Sequence, residues 1–530
     1  MTADWKRKAG VLLPVFSLDS RYGIGTFGRE AKAWVHELAE AGFTYWQVLP
    51  LGPTSYGDSP YQSFSAFAGN PYFIDVESLV ELGLLTREEA ESYDWGDDPA
   101  RVDYAKLHEA RFALLRQAFA RAVHVGAVGT RFLAFCKENA YWLPDYALFM
   151  ALKERFGGKA WLSWPEEIRT RQPEALASAR EALKDECTFW EFVQFLFFSQ
   201  WEEVRAEARE AGVQIIGDIP IYCAMDSADV WAHPELFLMD ENIFPDQVAG
   251  VPPDYFSADG QLWGNPLYRW EAHEANGYDW WIRRMKGCSN LYDCVRIDHF
   301  IGIVRYYCIP YGAENAKAGI YRQGPGLPFI RILQASVPQT KLIAEDLGVI
   351  VPEVQAVLDA AGFPGMKVLA FAFGSGAENE YLPHNYTHTN SVVYVGSHDT
   401  DTAAGMLGSM TAKDRAEVRA YCGLPPAAGE VPADDGEEEK PAPSQVRVVR
   451  TLTPEEQART HEEVYALMRL ALSSVCHTAI LQAQDLLCLG SEARINIPST
   501  LGGNWDWRMT SAQRHGLLEE VAPMLPLYGR

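Results

Sequence analysis

The chain has 530 residues, of which 48% are hydrophobic and 22% are charged, as is typical of a globular protein. Its formal net charge of −25 disfavours nucleic acids and anionic membrane surfaces as partners, because both carry negative charge. A neutral partner such as a sugar meets no such penalty. No uninterrupted apolar run reaches about 18 residues, so the sequence predicts no transmembrane helix.

Residues 1–10 are polar and charged, and they lack the apolar core of a secretory signal. The nine cysteines are odd in number and form no C-x-x-C pair. This pattern is typical of reduced, partly buried thiols, and it indicates neither a disulfide framework nor a metal or redox site. The sequence therefore predicts a cytoplasmic protein that uses no metal ion and no cofactor, and it leaves the oligomeric state open.

Short apolar runs bounded by polar residues or glycine recur along the chain, with helical segments between them. Eight strands alternating with helices favour the α/β class, and within it a closed (β/α)8 TIM barrel. A doubly wound open sheet would also alternate, but no G-x-G-x-x-G motif follows the first strand. The eight predicted strands are Gly10–Phe16, Tyr45–Pro50, Val213–Ile216, Asp293–Ile297, Thr340–Ala344, Met366–Phe371, Ser391–Val395 and Ala483–Leu487.

The long interval between the second and third strands is predicted to be mostly helical. We expect residues 1–530 to form a single catalytic barrel domain, with residues 53–200 as a mainly helical insertion subdomain over the C-terminal rim. Residues 423–445 are rich in proline, glycine and acidic side chains, which predicts a flexible acidic loop. The helices predicted in the insertion are Tyr104–Val123, Gly129–Met150 and Pro173–Leu183.

Four predicted strands end on, or are followed closely by, an acidic residue: Asp218, Asp298, Glu345 and Asp399. Any one of them is more often a helix cap or turn former than a functional group. In a barrel, however, all strands run the same way, so the four side chains converge on the rim where barrel active sites lie. Arg296 alternates with Asp298 on one strand and therefore points to the same side.

Two chemistries use carboxylates clustered on a barrel rim. One is the binding of a divalent cation through oxygen ligands. The other is glycoside chemistry, in which one carboxylate attacks the anomeric carbon and another protonates the leaving oxygen. Aromatic side chains near the rim, such as Trp263 and Tyr61, favour the second chemistry because flat apolar rings stack on sugars.

Seven short motifs, in order along almost the whole chain, closely resemble the amylomaltase family of the α-amylase clan. Their residues are Ser59-Pro60-Tyr61-Gln62, Asp218-Ile219-Pro220-Ile221, Pro252-Pro253-Asp254-Tyr255-Phe256, Trp263-Gly264-Asn265-Pro266-Leu267-Tyr268, Arg296-Ile297-Asp298-His299-Phe300, Ala344-Glu345-Asp346-Leu347-Gly348 and His398-Asp399-Thr400-Asp401-Thr402. The chain departs from the family pattern at Ser499, since the family's late motif often has glycine after the corresponding proline.

The resemblance implies that Asp298 is the nucleophile, that Glu345 is the general acid and base, and that Asp399 stabilises the transition state. Arg296 is implied to keep the nucleophile ionised, and the neighbouring anions are expected to raise the pKa of Glu345. The resemblance also implies a loop over the cleft at Ala249–Ser257. The substrate-binding residues implied are Ser59, Tyr61, Asp218, Asp254, Trp263, Arg296, His299, His398 and Asn496.

The function implied is that of a 4-α-glucanotransferase, which moves α-1,4-glucan segments between maltooligosaccharides. The reaction is expected to be a retaining double displacement through a covalent glucosyl-enzyme. Three alternatives remain open at this point: an α-glucan hydrolase of the same clan, a metal-dependent barrel lyase or isomerase, and a glucan-binding protein without activity. The hydrolase shares the same carboxylates and differs only in how it handles the acceptor.

Overall fold

The computed structural model describes residues 7–55, 57–124, 129–253, 257–348, 351–426 and 452–530. Eight parallel strands pair in the order β10-β11-β12-β1-β2-β3-β6-β9. The Ala344 amide donates to the Pro364 carbonyl at 3.0 Å and so joins β9 to the residue before β10, which closes the barrel. The strands are β1 Lys8–Leu12, β2 Tyr45–Gln47, β3 Gln214–Pro220, β4 Gln247–Val251, β5 Gln261–Pro266, β6 Cys294–Asp298, β7 Arg305–Pro310, β8 Ile320–Gln323, β9 Lys341–Ala344, β10 Gly365–Val368, β11 Ser391–Tyr394 and β12 Thr478–Gln482.

Helices connect the barrel strands and cover their outer surface. The described helices are α1 Arg29–Glu40, α2 Val76–Glu81, α3 Arg87–Glu91, α4 Tyr104–His124, α5 Thr130–Glu138, α6 Leu143–Arg155, α7 Glu166–Arg169, α8 Pro173–Ala182, α9 Lys184–Ala211, α10 Ala228–Ala232, α11 Trp270–Ala275, α12 Asp279–Leu291, α13 Ile301–Val304, α14 Gly326–Ser336, α15 Pro352–Ala361, α16 Ala403–Ser409, α17 Ala412–Tyr421, α18 Pro454–Ser473, α19 Ala483–Leu486, α20 Ser511–Arg514 and α21 Met524–Leu527. In this part of the chain no helix has both the length and the apolar character needed to cross a membrane.

The barrel strands are short and buried on both faces, because side chains pointing inward fill the barrel and those pointing outward meet the helices. This explains why the strands appear in the sequence as continuous apolar runs and not as alternating patterns. Polar residues enter the buried strands at the ends that approach the C-terminal rim, as Arg296 and Asp298 do on β6.

The prediction of a (β/α)8 barrel is confirmed, but the eighth predicted strand is wrong. Ala483–Leu487 is not a strand, because Ala483–Leu486 forms α19. The strand lies immediately before it, at Thr478–Gln482, and pairs with β1 and β11. The apolar run continues from the strand into the helix, so hydrophobicity alone does not mark the boundary between them.

The segment between β2 and β3 contains helices α2 to α9, in agreement with its predicted helical character. The predicted helix Gly129–Met150 is two helices, α5 and α6, which are separated by residues 139–142. That residues 53–200 form a subdomain of one catalytic domain stays a prediction. Most of the predicted acidic loop at 423–445 lies outside the described residues, which end at 426 and resume at 452.

A second sheet was not predicted from the sequence. Strands β4, β5, β7 and β8 form an antiparallel sheet in the order β5-β4-β7-β8. The segment around Trp263, whose Gly-Asn-Pro sequence predicts a turn, therefore lies in strand β5. The expected loop at Ala249–Ser257 begins in β4, and its residues 254–256 lie outside the described residues.

Candidate active site

Parallel strands bring the four predicted carboxylates to one end of the barrel. Asp218 lies on β3 and pairs in register with Arg296 on β6, and Asp298 is the last residue of β6. Glu345 follows β9, and its backbone amide donates to the Ile297 carbonyl at 3.0 Å. Asp399 lies beyond the end of β11. The strand-end pattern in the sequence thus corresponds to a single group of acids.

A buried guanidinium joins two of these acids. Arg296 is 3% exposed, and its Nη1 donates to Oδ2 of Asp218 at 2.6 Å. Its Nη2 lies 3.1 Å from Oδ1 of Asp298. Its Nε faces the sulfur of Met366 at 3.4 Å. The cation therefore has a partner on each of three nitrogens, which fixes its plane between β3, β6 and β10.

Backbone donors fix the Glu345 carboxyl. The amide of His299 donates to Oε2 at 2.7 Å, and the amide of Leu347 donates to Oε1 at 2.9 Å. The first contact requires an unusual backbone, because His299 has a φ of 51°, in the left-handed region. Asp298 lies between Ile297 and His299, which both hydrogen-bond to Glu345, so the two proposed reacting carboxyls are held side by side.

Asp399 has side-chain partners on both oxygens. Nε2 of His398 lies 3.2 Å from Oδ2, and Nδ2 of Asn496 donates to Oδ1 at 2.6 Å. Arg494 supports this arrangement by donating to the backbone carbonyls of Asp399 at 2.9 Å and of Asn496 at 2.7 Å. The late motif of the sequence thus folds back onto the strand-end carboxylate.

An aromatic wall adjoins these polar groups. The Tyr61 ring stacks on the His398 imidazole with centroids 5.1 Å apart, and its hydroxyl donates to Asp218 at 2.7 Å. Trp505 lies beside both rings, at 5.8 Å from Tyr61 and 6.0 Å from His398. Ser59 helps to fix the backbone before Tyr61, because its hydroxyl accepts a hydrogen bond from the Tyr61 amide at 3.3 Å.

Trp263 lies on another side of the site. Its indole packs edge-on against the His299 imidazole, with centroids 4.7 Å apart, and its Nε1 donates to Gln261 at 3.1 Å. The ring is partly buried. Through His299 it lies next to the backbone that binds Glu345. The structure thus brings together every predicted site residue except Asp254, which lies outside the described residues.

The site's electrostatics differ in part from the expectation. Burial raises the pKa of both Asp298 and Glu345, and Arg296 opposes the rise in each case. That Arg296 keeps Asp298 ionised stays a prediction: the ion pair opposes the rise in the pKa of Asp298 but does not reverse it. The pKa of Glu345 is raised as predicted, although burial is the largest cause and the neighbouring anion Asp399 is a smaller one.

Asp399 and His398 behave as an ion pair. Burial disfavours the charged form of each, but their mutual attraction outweighs it. The pKa of Asp399 lies below its usual range, with Asn496 assisting, and the pKa of His398 is raised. The site therefore combines one stably ionised carboxylate with two carboxyls that protonate more readily than usual. This division suits a reaction that needs both an anion and a proton donor.

The arrangement of the acidic side chains does not resemble a metal site. Among residues 7–55, 57–124, 129–253, 257–348, 351–426 and 452–530, no group of three or more His, Cys, Asp or Glu side chains is arranged to hold a metal ion. The Glu345 oxygens both accept backbone donors, and the Asp399 oxygens both have side-chain partners. That the protein uses no metal ion or cofactor stays a prediction.

Three residues of the site were not predicted from the sequence. Trp505 extends the aromatic wall, Arg494 fixes the Asp399 backbone, and Met366 contacts Arg296. Arg494 stands two positions from Asn496 in the late motif, which could have indicated it. Met366 resembles any apolar strand residue, so no sequence pattern distinguishes it.

Comparison with known proteins covers nearly the whole length of the chain. A family model described as 4-alpha-glucanotransferase matches residues 13–513. The chain belongs to the 4-alpha-glucanotransferase family. Within this family, the curated 4-alpha-glucanotransferase of Thermus thermophilus is 47% identical over 507 residues, which cover 95% of each chain. The curated 4-alpha-glucanotransferase of Synechocystis is 43% identical over 530 residues, covering 99% of this chain and 98% of that one.

A solved structure from the same family has closely the same fold. The amylomaltase from Streptococcus agalactiae in complex with acarbose superposes with a TM-score of 0.89 at 37% identity. The match covers 99% of this chain and 100% of that chain. The fold of the 4-alpha-glucanotransferase family therefore extends over the described barrel and its helical segments.

The chain departs from the family resemblance at Ser499, and the structure shows what glycine would supply there. Ser499 has a φ of 65°, in the left-handed region that glycine adopts without a steric penalty. It follows Pro498 in a turn in which the Thr500 amide donates to the Ile497 carbonyl at 3.3 Å. A proline followed by a residue of positive φ is the pattern of a type II turn, which favours glycine at the second place.

We expect Ser499→Gly to raise the melting temperature and to keep full activity, because it removes a left-handed serine. Ser499→Val should lower stability by about 1–2 kcal/mol, since β-branched residues tolerate this conformation poorly. It should also reduce turnover by disturbing Asn496, three residues earlier. Thermal unfolding and glucan turnover of the two variants check this. Equal melting temperatures for the glycine and valine variants would contradict the account.

Proposed function

We propose that this chain is a 4-α-glucanotransferase that moves α-1,4-glucan segments between maltooligosaccharides by a retaining double displacement. The observation that supports this most directly is the pair of carboxyls Asp298 and Glu345. The Glu345 amide donates to the Ile297 carbonyl and the His299 amide donates to the Glu345 carboxylate, so the residues on either side of Asp298 are both held against Glu345. Retaining glycoside chemistry requires such a pair, one as nucleophile and one as acid and base.

In the first step Asp298 attacks the anomeric carbon while Glu345 gives its proton to the leaving glycosidic oxygen. Because burial raises the pKa of both groups, the pair favours sharing one proton over carrying two negative charges. The ion pair with Arg296 favours the charge on Asp298, which leaves the proton for Glu345. The released sugar departs with the proton, and a glucosyl ester of Asp298 remains.

In the second step Glu345, now ionised, takes a proton from the 4-hydroxyl of an acceptor glucan. The acceptor oxygen attacks the anomeric carbon, the ester bond to Asp298 breaks, and the α configuration is restored. Asp399 remains ionised throughout, because its contacts with His398 and Asn496 keep its pKa low. Its charge stabilises the oxocarbenium-like transition state.

The substrate side chains have matching roles in this proposal. Tyr61 offers a ring face to the sugar whose bond is cleaved, while Asp218, Ser59 and His398 supply hydrogen-bonding groups to its hydroxyls. Trp263 and His299 serve the acceptor side, and Asn496 and Asp254 complete the predicted contacts. The acarbose complex of the Streptococcus agalactiae amylomaltase supports a maltooligosaccharide ligand for this chain as well.

A hydrolase would use the same three carboxylates, so the distinction lies in what attacks the glucosyl-enzyme. The relatives at 41–47% identity carry the transferase name, which favours an acceptor sugar over water. We also propose that the protein works in the cytoplasm, where its nine cysteines, none of them in a disulfide, would stay reduced.

Replacing either member of the carboxyl pair should abolish transfer while leaving the fold intact. We expect Asp298→Ala and Glu345→Gln each to lower the rate of maltotriose disproportionation by about 10³-fold or more, because each removes a group that bonds or transfers a proton in the transition state. Asp359→Ala, which removes an exposed carboxylate on α15, is the matched control and should be unaffected. A Glu345→Gln enzyme that keeps more than about a tenth of the wild-type rate would reject its role.

We expect Trp263 to determine how well an acceptor sugar competes with water for the glucosyl-enzyme. We expect Trp263→Ala to lower the ratio of transfer to hydrolysis several-fold on maltotriose, since ring stacking is worth on the order of 1 kcal/mol. Leu262→Ala, next to it on β5 and 42% exposed, is the matched control. Chromatography of the products measures both reactions. An unchanged ratio together with an unchanged apparent acceptor affinity would return Trp263 to a packing role.

A further inference from the structure

The guanidinium of Arg296 makes a third polar contact that the proposed mechanism does not use. Two of its nitrogens face carboxylates, at 2.6 Å from Asp218 and 3.1 Å from Asp298. Its Nε instead faces the thioether sulfur of Met366, at 3.4 Å. Arg296 and Met366 are 3% and 2% exposed. A buried N–H needs an acceptor, because an unpaired donor loses the hydrogen bond it would make with water.

Met366 is itself held firmly. Its backbone amide donates to Oδ1 of Asp346 at 2.7 Å, and it pairs in register with Val392 on the neighbouring strand β11. Asp346 directly follows Glu345. It can approach β10 only because position 365 is glycine: a Cβ there would lie 2.2 Å from the second Asp346 oxygen. A continuous set of contacts therefore runs from Asp346 through Met366 to Arg296.

We propose that Met366 is a positioning residue of the transfer reaction, whose sulfur fixes the third side of the Arg296 guanidinium and thereby aligns this cation with Asp298. The proposal rests on the proposed role of Asp298 as nucleophile. Without the contact to Met366, rotation about the two ion pairs would be less restricted, and the distance from Nη2 to the nucleophile would lengthen. Met366 acts through Arg296 and does not itself reach the reacting atoms.

The chemical nature of the acceptor explains why a thioether suits this place. The carboxyl groups that influence Asp298 are Asp218, Glu345 and Asp399, and Arg296 is the cation that balances them. An acidic side chain on β10 would satisfy Nε but would draw the guanidinium away from Asp298 and add a further negative charge. A sulfur accepts the hydrogen bond weakly and carries no charge, so the full cation remains available to the nucleophile.

Two substitutions separate positioning from packing. Met366→Leu keeps the apolar volume but removes the acceptor, whereas Met366→Gln keeps the length of the side chain and supplies a carbonyl oxygen that can accept from Nε. Met468→Leu is the matched control, because Met468 is also buried, at 3% exposure, but lies on α18. For each variant, kcat/KM for maltotriose is measured from pH 4 to pH 9, together with the melting temperature.

We expect Met366→Leu to lower kcat/KM at the optimum by about ten-fold. Its acidic limb should shift to higher pH, because a less well-aligned cation leaves the pKa of Asp298 higher. Met366→Gln should restore the acidic limb and most of the rate, and Met468→Leu should match the wild type. The proposal is overturned if Met366→Leu keeps the wild-type pH profile, or if the glutamine variant is as impaired as the leucine variant. Failure of the proposed function would differ, since the wild type would then show no transfer.

Discussion

A single buried cation organises this active site. Arg296 is almost fully enclosed, and an enclosed guanidinium is costly unless opposite charges and hydrogen-bond acceptors surround it. Asp218 and Asp298 supply the charges and Met366 supplies a neutral acceptor. The same cation makes the cluster of acids tolerable, because four carboxylates in one low-dielectric site would otherwise repel one another. The cation thus fixes Asp298, the proposed nucleophile, and it also fixes Asp218, to which the Tyr61 hydroxyl donates.

The barrel provides what this arrangement needs. Parallel strands put Asp218, Asp298 and Glu345 at corresponding ends, and backbone amides just after β6 and β9 then orient the Glu345 carboxyl. The left-handed conformation of His299 is a local strain that turns one amide toward Glu345. Strain of this kind persists where the surrounding structure compensates for it, and here it holds the carboxyl pair together.

The sequence predicts the parts of the molecule that follow from local patterns. The apolar runs identify seven of the barrel strands, and the acids after them identify the site. The eighth strand was misplaced because its apolar run continues into α19 without a polar boundary. The antiparallel sheet around Trp263 was missed because Gly264, Asn265 and Pro266 are typical of a turn, whereas pairing with β4 makes that segment a strand. Tertiary pairing overrides local preference in such cases.

The electrostatics depend on burial, and the sequence does not report burial. A strand residue next to an arginine suggests an ionised acid, yet enclosure raises the pKa of Asp298 despite Arg296. Met366 illustrates the same point, since its proposed role depends on Arg296, two strands away in the barrel, and not on its neighbours in the chain. Ser499 is predictable only in part. The sequence shows that serine stands where the family resemblance leads one to expect glycine, but only the structure shows the positive φ that makes glycine the better residue there.

The central claim is that Asp298 forms a covalent bond to the sugar, and it can be tested by trapping that bond. Glu345→Gln enzyme reacts with α-glucosyl fluoride, whose fluoride leaves without a proton donor, while the missing base slows the second step. Mass spectrometry of the quenched and proteolysed enzyme then locates any added glucosyl unit. The account predicts one glucosyl unit on the peptide that contains Asp298, at that residue. A consumed donor with no adduct, or an adduct on another residue, would contradict it.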